Sequence, residues 1–314
     1  MRILRHTADV PAEVLGATVA LGNFDGMHRG HQVVLEKTRE QARGHATAVL
    51  TFEPHPRSFF APEAPPFRLT SLRDKTRAIE RCGIDFLIVQ HFDKAFASQS
   101  AETFVRRTLV GDLKVAHVVT GYNFRFGRER KGDATLLQAL AERFGFAFTA
   151  VSPVRSGEAI YASTAIREYL WKGEPAKAAR LLGRPWEIEG RVEEGAGRGR
   201  GLGFPTANLA LGDHLHPKAG IYAVRAGVDA GLATVWRKGV AYLGTRPTFG
   251  AGNLLLEVHF FDAAPDLYGK HLRVQMIEFL REDATFEDGD HLRRQMEEDA
   301  KRAREVLAAA DDPA

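Results

Sequence analysis

At 314 residues the chain has room for about two domains with ordinary hydrophobic cores. Its 44% hydrophobic and 26% charged residues fit a soluble globular protein, and 43 basic against 40 acidic residues leave a net charge of only +3, too small to argue for a nucleic-acid or membrane partner. The single cysteine, Cys82, excludes an internal disulfide and any cysteine-rich zinc site. The opening MRILRHTADV lacks the apolar core of a secretory signal, and no run approaches the ~18 apolar residues that span a bilayer, so the expected address is the cytoplasm.

The first strong pattern begins at residue 18. TVAL (18–21) reads as a buried strand, LGNFDGMHRGHQ (21–32) as a tight turn, and the residues to 43 as an amphipathic helix. Gly22, Gly26 and Gly30 let backbone N–H groups approach a ligand closely. A strand, a glycine turn and a helix N-terminus together favour an anion. His28 and His31, three apart, fall on one face of the first helical turn, where two imidazoles could bond a nucleotide's phosphates. Read as a zinc pair, they lack a third ligand at metal-site spacing. Either histidine alone fits a capping turn with a surface imidazole; both, with F-D-G and three glycines, do not.

This G-x-F-D-G-x-H-x-G-H run resembles the signature of the H-x-G-H nucleotidylyltransferases, and its F-D-G form resembles the bacterial flavin adenylyltransferases. The resemblance implies that Gly22, Phe24, Asp25, His28, Gly30 and His31 hold ATP and stabilise charge as pyrophosphate leaves.

Further strands are expected at 46–52, 85–90, 115–120 and 146–151, with helices at 72–81, 101–109 and 135–144. Apolar strands alternating with helices predict a doubly wound parallel sheet of Rossmann-like type, whose ligands lie beyond the carboxyl ends of strands. Between them EPHPRSFFAPEAPPF (53–67) is too long for a mere connection. The resemblance makes it a flavin-side loop; three prolines at 62–66 suit a stiff surface segment equally. GYNFRFGRERKG (121–132) directly follows the 115–120 strand, and its alternating aromatics exceed what a solvated basic turn needs. It resembles the family's G-x-[DN]-F-R-F-G motif, which places Asn123 and Arg125 at the flavin phosphate or its magnesium. ASTAIR (162–167) opens a helix and would pass for ordinary N-capping by itself. It resembles the family's S-S-T-x-I-R, implying that Ser163, Thr164 and Arg167 bind the triphosphate; Ala162 stands where the first serine is common.

A short helix ends at Gly183, and Pro185 opens a different regime. Strand-like runs at 186–192, 220–226, 239–243, 254–261 and 272–280 are separated by Gly, Pro and Asp turns, predicting a small antiparallel barrel. A terminal helix (290–309) stacks Leu292, Met296, Ala300, Ala303 and Leu307 on one side. Domains are therefore expected at 1–183 and 184–314. GAGRGRGLGFPTANL (195–209) could be a basic linker, but a linker would not end in P-T-A-N and an apolar strand. His214 and His216 read as loop residues.

P-T-A-N resembles the riboflavin kinase motif, with GVAYLGTRPTFG (239–250), LLLEVHFFD (254–262), DLYGKHLRV (266–274) and IEFLRED (277–283) matching in order. The resemblance implies Gly203, Thr206 and Asn208 as ATP and magnesium contacts, with Thr206 and Asn208 as metal ligands. It makes Glu257 the base at the riboflavin 5′-hydroxyl, although strand alternation alone would only put it on a wet face. Tyr242 departs from an asparagine often found at its position.

Six motifs in order resemble the bacterial bifunctional riboflavin kinase/FAD synthetase family. That family implies riboflavin + ATP → FMN + ADP, then FMN + ATP → FAD + pyrophosphate, both with Mg2+, in a monomer or weak homo-oligomer. The competing readings are an enzyme with one half inactive, for which Ala162 and Tyr242 are the grounds, and a flavin- or nucleotide-binding regulator without turnover.

Overall fold

A computed structural model describes residues 1–8, 10–156, 159–193, 206–245, 254–262 and 267–310. The chain forms two compact units: Met1–Ala64 with Leu72–Ala162, and Pro65–Ser71 with Ser163–Ala314. No helix among the described residues is long and apolar enough to cross a membrane.

The first unit is built on β1 (Arg2–Leu4), β2 (Thr18–Leu21), β3 (Thr47–Glu53), β4 (Phe86–His91), β5 (His117–Gly121) and β6 (Ala147–Val151). They form one sheet in the order β1-β4-β3-β2-β5-β6, with every pair parallel. All of β2 and nearly all of β3 are buried, as strands covered on both faces must be. Helices α1 (Arg29–Gln41) and α3 (Leu72–Arg81) cover one face, packing Val34, Leu35, Ala78 and Ile79 onto Val49, Leu87 and Val119. The other face carries the short helix α5 (Ala101–Phe104), the π-helical segment Val105–Asp112 that continues it, and α6 (Ala134–Phe144), which enclose Leu21, Leu50, Ile88 and Val118. Two short helices, α2 (Pro56–Phe60) and α4 (Lys94–Ala97), complete this unit. The expected five strands are all present. Strand β1 is an addition, a three-residue edge too short to show a pattern, and α2 structures part of the segment expected to be a loop.

The second unit is a closed antiparallel barrel in the order β10-β13-β12-β11-β14-β9. Its strands are β9 (Trp186–Glu193), β10 (Thr206–Ala210), β11 (Gly220–Val228), β12 (Arg237–Thr245), β13 (Leu254–Phe260) and β14 (His271–Arg281); β7 (Arg155–Ser156) and β8 (Ala159–Ile160) form a separate ribbon in the first unit. Ile188, Leu209, Val224, Leu243, Leu256, Val258 and Val274, all without exposure, alternate with outward positions. Helices α7 (Ser163–Trp171) and α8 (Pro175–Leu182) precede the barrel, and Gly183 ends α8 with the left-handed φ of 74°. The terminal helix α9 (Gly289–Ala309) buries Ala300, Ala303 and Leu307, the last two against Ile221, Ala223 and Leu280. Arg281 grips Asp299 of this helix with Nη2 2.7 Å from Oδ2 and Nε 2.9 Å from Oδ1. Residues 65–71 are held to the barrel by Trp186 Nε1 donating to Leu69 O at 2.8 Å and Leu215 N donating to Arg68 O at 2.8 Å. His214 is buried in a loop, its Nδ1 2.9 Å from Leu211 O.

Candidate active sites

In the first unit the strand order reverses at β2, whose neighbours β3 and β5 lie on paths leading to opposite edges. Leu21 pairs with Thr120, so the turn after β2 and the turn after β5 leave the sheet side by side. Ligands of doubly wound sheets collect at such a switch point. The fold thus brings the 22–31 and 121–132 runs, about a hundred residues apart, to one edge.

The first turn is tightly built. Phe24 and Met27 adopt φ of 50° and 45° and Gly26 φ of 85°. His28 is the N-cap of α1, its Nδ1 accepting from His31 N at 3.2 Å, so a neutral His28 ring carries its proton on Nε2. The two imidazoles stack with centroids 3.7 Å apart and 17° between planes, and the Phe24 edge meets His31 at 5.2 Å. A Cβ on Gly30 would lie 3.1 Å from the His28 ring and 3.4 Å from Tyr161 Cβ. Gly30→Ala should therefore displace the His28 ring from its present place, read as shifted His28 and His31 ring signals in the NMR spectrum.

The half-buried His31 ring has an enclosed Nδ1 that makes no hydrogen bond among the described residues. Burial, then the charges of His28 and Lys75, hold its pKa well below the ordinary 6.5. At neutral pH the His31 ring is therefore neutral. The sign for stability follows. Above 6.5 the folded and unfolded chains are both neutral at His31; as pH falls from 6.5 toward the depressed value only the unfolded chain gains the proton, and stability drops. His31→Gln should flatten that slope, read as a smaller difference in urea midpoint between about pH 7.5 and about pH 5.5.

In the second turn Phe126 and Phe124 are anchors, while Tyr122 is exposed. Phe126 is buried and stacks with Phe124 at 5.6 Å, while Phe126 and Gly132 exchange backbone hydrogen bonds of 3.1 and 2.9 Å. Asn123 is exposed beyond them, and Arg125 is held 3.0 Å from Asp133, the N-cap of α6. Asp25 is buried, and Gly22 passes beneath the Phe24 ring.

Ser163 and Thr164 open α7, with Thr164 exposed. Arg167 donates from Nε to Phe67 O at 2.9 Å and lies 5.4 Å from the Phe67 ring centroid. These contacts lie wholly within the second unit.

The barrel places the other expected residues in one row. Asn208 on β10 pairs directly with Glu257 on β13, and Glu257 pairs with Tyr242 on β12. Residues opposed in this way share a face, and Thr206, two before Asn208, joins them. Asn208 and Glu257 are both about 7% exposed. The Tyr242 hydroxyl donates to Asp283 Oδ2 at 2.8 Å, and its ring lies over Gly244. A hydroxyl, an amide and a carboxylate side by side are hard oxygen donors suited to a small divalent cation. Gly203 and the rest of the glycine run lie outside the described residues.

Residues 11–165 match the FAD synthetase family model and residues 182–307 the riboflavin kinase model. The bifunctional riboflavin kinase/FMN adenylyltransferase of Escherichia coli K12 is 39% identical over 309 residues, covering 98% of this chain and 97% of that protein. The chain belongs to the bifunctional riboflavin kinase/FMN adenylyltransferase family. The Haemophilus influenzae member is 38% identical over 306 residues, covering 97% and 98%. A crystal structure from Streptococcus pneumoniae, described as a macrolide-efflux protein, shares the fold with a TM-score of 0.83 and 28% identity over 96% of this chain and 98% of that one.

One residue of the family member's first unit escapes motif reading. Lys75 has no exposure, and its Nζ lies 3.3 Å from Glu53 Oε1 and 3.5 Å from Thr51 Oγ1. The signal was its spacing: Lys75 falls three and four residues before the buried Ala78 and Ile79, on the apolar face of α3.

Proposed function

We propose that this chain makes both flavin cofactors, phosphorylating riboflavin to FMN in its barrel and adenylylating FMN to FAD at the edge of its parallel sheet. The observation that carries the reading is a buried carboxylate in register with an amide in one unit, and a stacked histidine pair at the switch point of the other. Each arrangement suits a different attack on ATP.

In the barrel, Glu257 takes the proton of the riboflavin 5′-hydroxyl as that oxygen attacks the γ-phosphorus, and ADP leaves. Thr206 and Asn208 hold the ATP phosphates together with Mg2+, and Gly203 is assigned to ATP binding with them. The oxygen donors of the row support this; magnesium, when bound, supplies charge that offsets the phosphates. In the first unit an FMN phosphate oxygen attacks the α-phosphorus of ATP and pyrophosphate leaves. His28 and His31, with backbone amides around Gly22, Phe24, Asp25 and Gly30, bind and orient the triphosphate. No nucleophile from the protein is needed, since positioning and electrostatics supply most of the rate in such transfers. Asn123 and Arg125 take the flavin phosphate, and Ser163, Thr164 and Arg167 assist with ATP. The 53–67 segment is assigned to the flavin side, supported by the exposed Phe60 ring, which meets Phe59 and Phe92 at 5.2 and 5.8 Å.

The functional boundary is placed near residue 184, the address in the cytoplasm, and the assembly as a monomer or weak homo-oligomer. Chromatography of riboflavin, ATP and magnesium after incubation with the protein tests the whole reading. FMN followed by FAD is expected. Unchanged riboflavin marks a binding protein without turnover, and arrest at FMN marks an inactive first unit.

A further inference from the structure

Lys75 is a buried titratable group that no step above uses. Side chains of lysine are almost never fully buried unless paired, and taking an ammonium out of water costs several kcal/mol. Its partner Glu53 recovers part of that, but a buried ion pair contributes no more than apolar side chains of the same volume. Packing α3 onto the sheet therefore does not require a charge at this position.

Its connections lead to the site. Nζ donates to Thr51 Oγ1 at 3.5 Å, and the Thr51 hydroxyl donates to Asn23 O at 3.2 Å, within the turn between Gly22 and the histidine pair. We infer that Lys75 is a positioning residue of adenylyl transfer, its buried side chain bracing the 22–31 turn through Thr51 and Asn23. This rests on the assignment of the H-x-G-H turn to FAD formation. The charges acting on His31 are His28 from its own turn and Lys75 from α3. Glu53 from β3 faces Lys75, and Asp74 and Arg77, 3.9 Å apart, adjoin it on α3. Burial and the Lys75 ammonium both favour the neutral His31 ring, so Lys75 influences the site by charge as well as by contact.

Three full-length variants separate these roles, with FAD formation from supplied FMN, the NMR titration of the His31 ring and thermal unfolding as readouts. Lys75→Met should lower kcat for FAD formation by about tenfold or more and move the His31 titration to higher pH. Lys75→Arg should return the titration toward its original position and recover most of the rate. Thr51→Val keeps the charge and breaks the link to Asn23, so it should slow the reaction and leave the titration in place. Lys75→Met with kcat within about twofold of the unaltered chain and an unmoved titration overturns the inference, as does Lys75→Arg as slow as Lys75→Met. Should Lys75→Met fail to fold, Thr51→Val decides: full activity in that variant overturns the inference and slowed turnover supports it. His31→Ala with undiminished FAD formation would instead overturn the site assignment beneath it.

Discussion

Glu257→Gln is expected to lower FMN formation from riboflavin by about 10²–10⁴ and to leave FAD formation from supplied FMN intact. The substitution keeps the volume of the side chain and its place in β13 opposite Asn208 and Tyr242, and removes the capacity to accept a proton. A positioned general base contributes about 10²–10⁴ in rate, and the fall in kcat should lie in that range. Thermal stability should hold or rise, because a neutral amide costs less to bury at about 7% exposure than a carboxylate. A loss of stability with no loss of kinase turnover would mean that Glu257 serves the barrel and not the reaction.

The converse result is expected for His28→Ala with His31→Ala. Removing one donor aimed at developing charge typically costs about 10²–10³ in kcat, and two members of one stacked pair should cost less together than the product of their separate effects. FAD formation should therefore drop at least about a hundredfold, with riboflavin phosphorylation unchanged. His28 also caps α1 through its bond to His31 N, so the double variant loses about 1 kcal/mol of helix stability. Thermal unfolding distinguishes that loss from the catalytic one.

What the sequence disclosed was local or periodic. A strand, a glycine turn and a helix N-terminus occupy consecutive residues, and the spacing of His28 and His31 survives folding as a stacked pair. The alternating aromatics of the 121–132 run already marked it as more than a solvated turn, and Phe124 and Phe126 pack there, though Tyr122 stays exposed. The barrel could be read as short strands and turns, but its closure and register could not. Asn208 and Glu257 are 49 residues apart, and only the pairing of β10 with β13 sets them opposite each other. Residues 65–71 belong to the second unit through Trp186 and Leu215, contacts that no local pattern encodes. Strand β1 went unseen because three edge residues show no period. Lys75 lay in plain view on an apolar helix face, yet nothing local showed that β3 would supply Glu53 and Thr51 to meet it.

One mixing assay bears most directly on two independent pockets in a single chain. The Glu257→Gln protein and the His28→Ala/His31→Ala protein are each given riboflavin, ATP and magnesium, first alone and then together. Alone, the former should return riboflavin and the latter should stop at FMN; together they should yield FAD through FMN released into solution. FAD from either protein alone, or none from the mixture when both are folded, would contradict the division of labour.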